Sequence, residues 1–393
     1  MEREADLETI ERVERFRERS HIEPTTAAIL NRLNEHVSQN GKSPGEYLAE
    51  SLRSHDVVMI GELIPTAQSC GLLVDLIPVL AENGVWHFCT DWLLFDDQLA
   101  LDELVNASEF NELMAVKLVM RGGAPRVNMP VDRVEVLRAV WNVNQHRDRL
   151  APSMRIIGLD YEIAYDNVTD RADLLTPEAW PHLRDRGSAA RFMADILERF
   201  VSGPRHRAVV SCSTTNALTL HRRDAHPTFD RIDRETTDGV IIGAGNLLYG
   251  SKADRVATVL VHQPMLGPIE GSPEYVFAGD GMIDLVFARF DGPKYPVGFD
   301  VVGSPFASLR TDSSYDSAPL GRLAHGWIYL DPLHKLTGPE QLTDRVSVDN
   351  VDDLRRRMVP GDLRQPDNGV QQLVTALETN RLVSEMTWNA VGT

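Results

Sequence analysis

Glu62, Asp91, Asp160 and His262 each follow a short apolar run: VVMIG, VWHFCT, RIIGL and VATVLV respectively. Carboxylates at such positions can carry a proton, and imidazole titrates closest to neutral pH of all side chains. The expectation is that Glu62, His262 and Asp91 are catalytic. Trp92, Asp160 and Tyr161 stand at or beside the same run ends and are read as substrate-binding groups, with Arg191 in the helix at 188–201 and Asn216 after AVVSCS counted among them. A lone acid after a strand is often only a helix cap. Acids after three successive strands point to a shared site.

Other chemistries find little support. The chain has no Walker A loop, no GxSxG elbow and no HExxH pair. Gly243-Ala244-Gly245-Asn246 lacks the third glycine and the strand-to-helix setting of a dinucleotide loop, so no nicotinamide cofactor is expected. Ser211, Ser213, Thr214 and Thr215 crowd one run end, where hydroxyls more often cap the next helix than act as nucleophiles. Cys70, Cys89 and Cys212 lie in apolar stretches without zinc spacing and read as buried, reduced thiols.

The elements that must place these residues follow from hydrophobic period. DVVMIGE at 56–62 reads as a strand buried on both faces, with Gly61 allowing a sharp exit. Residues 67–82, apolar at Cys70, Leu73, Leu76, Ile77 and Leu80, read as a helix stopped by Asn83-Gly84. Residues 85–90 then form a second strand. The pattern continues with a helix at 131–150, a strand at 154–159, a helix at 188–201, and strands at 206–211, 256–261, 297–302 and 326–330. Residues 165–181 read as irregular, and 222–235, with His226, as a charged loop.

Three helices come first, at 1–19, 25–39 and 43–53, and helices near 351–358 and 370–382 come last. The expected fold class is α/β: a mostly parallel central sheet flanked by helices, with an N-terminal helical cap and C-terminal additions. The implied organisation is a cap over 1–54, a core over 55–335 and an extension over 336–393. In an open parallel sheet, ligands bind outside the carboxyl ends of the strands.

A net charge of −18 on 393 residues argues against nucleic-acid or anionic-membrane partners. An apolar fraction of 42% is that of a globular protein, and no run has membrane-spanning length. The charged N-terminus lacks a signal-peptide core, so a cytoplasmic location is expected. The expected partner is a small-molecule substrate. The apolar seam of Leu7, Ile10, Val13 and Phe16 could also meet a second copy, as in a homodimer.

The order VVMIGE, a strand ending in Asp91-Trp92, VLRAVWNVNQ, RIIGLDYE, ARFMADIL, AVVSCS, GNLLY, DRVATVLVHQP and PVGFDVVGSPF carries a resemblance over residues 50–330. It resembles the superfamily of erythromycin esterases, ChaN-like haem-binding uptake proteins and Tiki metalloproteases. The family's first motif, Gly-Glu followed closely by His, falls on Gly61-Glu62, but Leu63, Ile64 and Pro65 follow. The histidine of its second motif falls on Asn216. Such histidines would bind a divalent metal in Tiki-like members or activate water in the esterases. Ile64 has no lone pair, and an amide is a poor base and weak ligand.

The resemblance therefore implies a small-molecule enzyme without metal or cofactor, set in secondary metabolism. Its hydrolase- or lyase-type chemistry would use Glu62 or His262 to move a proton and Arg191 to hold an anionic group. The alternative is a catalytically inactive small-molecule, haem or metal binding protein on the same fold. Haem uptake is disfavoured, since no lipoprotein cysteine lies near the N-terminus.

Overall fold

A computed structural model of the chain describes residues 6–23, 26–148, 150–163, 165, 185–201, 207–224, 236–237, 240–267, 275–290, 295–314, 317–358 and 369–391. The readings of 166–181 and of 225–235, with His226, lie outside them. Its centre is a seven-stranded sheet built from β1 (Val57–Glu62), β2 (His87–Leu94), β3 (Arg155–Asp160), β4 (Ala208–Ser213), β5 (Val256–Val261), β6 (Val297–Asp300) and β7 (Gly326–Tyr329). The spatial order is β6-β7-β5-β1-β4-β2-β3. Neighbours pair in parallel except β6, which runs antiparallel to β7 at one edge.

β1 sits in the middle because both of its faces are apolar. Val57 and Met59 join one buried cluster, and Val58 and Ile60 join another across the sheet. This is the strand period of two applied to a run with no polar side. The face under Val58 and Ile60 is covered by α3 (Pro44–Ser54), α4 (Ala67–Glu82), α5 (Gln98–Asn106), α6 (Glu112–Gly123) and α7 (Val131–His146). The opposite face is covered by α8 (Ala189–Val201) and α9 (Ala244–Ser251) beside β1. Towards the antiparallel edge that cover passes to α1 (Leu7–Arg19), α2 (Ala27–Asn40) and α10 (Met282–Arg289).

Part of the α1 seam is used inside the chain. Val13 and Phe16 are buried, and the Phe16 ring meets Phe277 edge-on at 5.3 Å, while Leu7 is exposed. α11 (Val351–Arg357) and α12 (Val370–Ala390) add Leu354 and Leu373 to the α4–α7 side. Among the described residues, no helix is long and apolar enough to cross a membrane.

Two local readings change. Gly61 lies within β1 and makes no turn: a Cβ there would stand 2.7 Å from Leu260 Cδ2 and 2.8 Å from Ala217 Cβ. The glycine is needed for close packing. β2 does not stop at residue 90 but runs on to Leu94, so Asp91 and Trp92 lie inside the strand. There the β2–β3 register shifts: Thr90 pairs with Gly158, but Leu94 pairs with Asp160. The residues between them form a bulge, a device that re-aims side chains beside functional sites.

Candidate active site

The carboxyl ends of β1, β4 and β2 are neighbours, and a cavity of about 280 Å³ opens there. Glu62 ends β1 in register with Ser213, which ends β4. Asp91, turned in by the bulge, accepts the Ser213 N–H on Oδ2 at 3.1 Å. Glu62, Asp91, Ser213, Thr215 and Asn216 all line the cavity.

Glu62 is fixed from the helix that follows it. Thr66 caps α4, and Ser69 closes a reciprocal capping box with it. The Ser69 hydroxyl donates to Glu62 Oε2 at 2.7 Å. Burial pushes the Glu62 pKa up, and the neighbouring Asp91 charge adds to the rise. The Ser69 hydrogen bond and the Arg133 charge oppose it.

Two arginines complete the cavity. Arg133, in the first turn of α7, is 7% exposed and lines it. Its Nη1 donates to Asn128 O at 3.1 Å, and its guanidinium lies 5.0 Å from the centre of the Trp92 ring. Burial lowers its pKa, and the Glu62 and Asp91 charges oppose that fall. A guanidinium stays charged even so. Arg126 enters from the short 3-10 turn Ala124–Arg126. It donates to Asp91 O at 3.1 Å and to Asp160 Oδ2 at 3.3 Å.

Val127 follows with φ of 49°, a left-handed conformation unusual for a β-branched side chain. Its N–H donates to Ala124 O at 3.1 Å, and its carbonyl accepts from Asn380 Nδ2 at 3.0 Å. The surroundings thus hold a strained residue between Arg126 and Asn128, both of which line the cavity.

Of the residues named from sequence, Glu62, Asp91 and Asn216 line the cleft, and Asp160 reaches its rim through Arg126. Trp92 is buried behind it, under Arg133. Tyr161 points away: its hydroxyl donates to Gly187 O at 2.7 Å and its ring packs on Phe192 at 4.9 Å. Arg191 is exposed on α8, whose Ala189 and Ala190 line the cleft in its stead.

His262 is the main correction. It is 0% exposed, and its backbone N–H continues the β5–β7 ladder to Ile328 O at 2.7 Å. Alternation then turns its ring to the α10 face, away from the rim. Its Nδ1 takes the Trp327 indole N–H at 3.3 Å, so Nε2 is the atom that donates to Asp284 Oδ1 at 2.9 Å. The ring stacks on Tyr329 at 4.6 Å. This is a polar pair inside the core.

Sequence reasoning missed Arg126, Asn128 and Arg133. One signal was present for Arg133: a cation in the first turn of a helix opposes the macrodipole and calls for a reason. The Gly243-Ala244-Gly245 run is explained by packing. A Cβ at Gly243 would fall 2.1 Å from Thr215 O, and one at Gly245 would fall 2.5 Å from Leu218 O.

Neither protein-family models nor curated protein sequences give a match to the chain. Solved structures do. A succinoglycan biosynthesis protein aligns with 78% of this chain and 98% of its own, at 10% identity and a TM-score of 0.50. A Bacillus cereus protein aligns with the same shares at a TM-score of 0.47 and 10% identity. A mutant of the erythromycin esterase EreC, in its open conformation, aligns with 72% of this chain and 92% of its own, at 11% identity and a TM-score of 0.45. At 10% identity, the likeness to the succinoglycan biosynthesis protein is one of fold alone.

Proposed function

We propose that the cleft is the active site of a hydrolase- or lyase-type enzyme acting on a small polar molecule by metal-independent acid/base chemistry. One observation carries the reading: the half-buried Glu62 carboxyl stands at the mouth of β1 beside Asp91 and the guanidinium of Arg133, with its pKa pushed up by desolvation. A carboxyl with a raised pKa exchanges its proton nearer neutral pH, which general acid–base catalysis requires. In ester or lactone hydrolysis, Glu62 takes a proton from water as its oxygen adds to the carbonyl, then returns one to the leaving alcohol. Arg133 and Arg126 offer fixed positive charge to the oxyanion formed between those steps. In elimination, the same carboxylate takes a proton from carbon, the C–H electron pair becomes the new double bond, and the group on the adjacent carbon departs as an anion beside Arg126 and Arg133.

The test is hydrolysis of a panel of carboxylic esters and lactones by protein dialysed against EDTA, with Glu62→Gln alongside. Turnover should survive dialysis and fall roughly a hundredfold or more in the variant. Turnover lost on dialysis and restored by a divalent ion would remove the metal-independent reading. A second reading, a binding protein without turnover, is favoured by the lack of any imidazole lining the cleft among the described residues. A ligand retained in native mass spectrometry, with every ester untouched, would select it.

A further inference from the structure

A smaller cavity of about 80 Å³ lies against the cleft. Leu63 and Thr215 line both spaces, so one wall serves the two. The rest of its lining is mainly apolar, with Leu218, Leu260, Met265, Leu266 and Trp327 around it. Two of its polar lining groups, Gln263 and Arg223, bond to the wall. Gln263 Oε1 accepts the N–H groups of Leu63 at 2.7 Å and Ile64 at 3.1 Å, while its Nε2 donates to Ile64 O at 2.6 Å. Arg223 Nη1 donates to Thr215 Oγ1 at 3.4 Å.

Both partners of that wall are therefore held: Leu63 through a buried amide and Thr215 through a buried guanidinium. A fixed wall sets the size of the space beside it. An apolar protein cavity of about 150 Å³ holds benzene, and the volume here is about half of that.

We infer that this cavity takes a short, straight apolar arm of the substrate, about three or four carbons long, while the polar head occupies the Glu62 cleft. The substrate class is a short-chain acyl compound. The inference rests on the cleft being the substrate site.

The experiment is calorimetric titration with sodium salts of straight-chain carboxylic acids from acetate to octanoate. The two guanidinium groups of the cleft provide for the carboxylate head. Affinity should rise about three- to fourfold per methylene until the cavity is filled, then level off. Leu266→Trp, which fills the cavity from a half-buried place in its lining, should flatten the series. Met265→Ala, which enlarges it, should move the limit by at least one carbon. Thermal unfolding of each variant verifies that it is folded.

A flat wild-type series overturns the inference. So does a rise continuing to octanoate in both the wild type and Leu266→Trp, which marks surface adsorption. Ester turnover scored with Glu62→Gln keeps the two readings apart. A length-limited series without turnover removes only the enzyme, and turnover with a flat series removes only the acyl cavity.

Discussion

Ser69 Oγ donates to Glu62 Oε2 across 2.7 Å, while the same oxygen accepts the Thr66 N–H at 2.9 Å. The hydroxyl that closes the cap of α4 is thus also the one that holds the half-buried acid. Glu62 is not itself the cap; that role falls to Thr66. The helix start and the acid are tied together, and the geometry of one fixes the other.

Ser69→Ala removes a hydrogen bond that favours the charged form of Glu62. The Glu62 pKa should therefore rise, and the acidic limb of the pH–rate profile should move to higher pH. Losing the capping box should also cost about 1 kcal/mol of stability. Kinetics across pH and urea unfolding check the two parts separately, and a limb that stays in place or moves down defeats the first.

Glu62→Gln should alter stability in a pH-dependent way. The folded-state pKa of Glu62 is raised above its ordinary 4.5, chiefly by burial. The unfolded chain therefore releases this proton first as pH rises. Stability from Glu62 is full below about 4.5 and is lost progressively as pH climbs to the raised folded value. Glutamine lacks this loss but keeps an acceptor for Ser69. The variant should melt higher than the wild type at pH 7, with the gap closing towards pH 4.

β1 was legible because four apolar residues in a row admit few settings other than a strand buried on both faces. The turn from α4 into β2 was legible for a local reason too: Gly84 takes φ of 72° after Asn83. The site was only half legible. Glu62 and Asp91 belong to strands the sequence marks, but for Arg133 the local pattern shows only an ill-placed first-turn cation and not the Trp92 ring and cleft it is buried against. His262 shows the converse. Its partners Asp284, Trp327 and Tyr329 are remote in sequence, so nothing near position 262 tells a rim histidine from a core one.

Gly61→Ala should destabilise the fold and disturb the cleft. The new methyl would meet Leu260, Ala217 and, at 3.2 Å, the Thr214 Cα. Two of these are small or backbone atoms that cannot swing aside. Overpacking of this kind costs about 1–3 kcal/mol, and the displaced strand carries Glu62. Urea unfolding should show the loss, and wild-type stability in this variant would contradict the close packing.

His262→Ala separates core from site. It removes the bond to Asp284 Oδ1 and leaves a carboxyl that is 0% exposed without that partner. A loss of about 1–3 kcal/mol is expected for an unsatisfied buried group. Below the melting transition, ligand binding and turnover in the cleft should stay within about twofold of the wild type, since catalytic general acid–base groups cost a hundredfold or more. A loss on that catalytic scale in folded protein would return His262 to the chemistry.

Arg133 allows charge and shape to be tested apart. Its guanidinium combines a hydrogen bond to Asn128 O, a place over the Trp92 ring and a positive charge that lowers the Glu62 pKa. Arg133→Lys keeps a charge but loses the planar fork, and burial disfavours a compact ammonium. It should cost about 1–2 kcal/mol of stability through the lost hydrogen bond and ring contact. Arg133→Met fills similar space with no charge at all. There the Glu62 pKa should rise, moving the acidic limb of the pH–rate profile up as in Ser69→Ala. Turnover should fall about a hundredfold, the scale of losing one charge-stabilising group at an oxyanion. If the Met variant keeps both the wild-type limb and the wild-type rate, Arg133 is a structural cation and the cleft stabilises charge by other means.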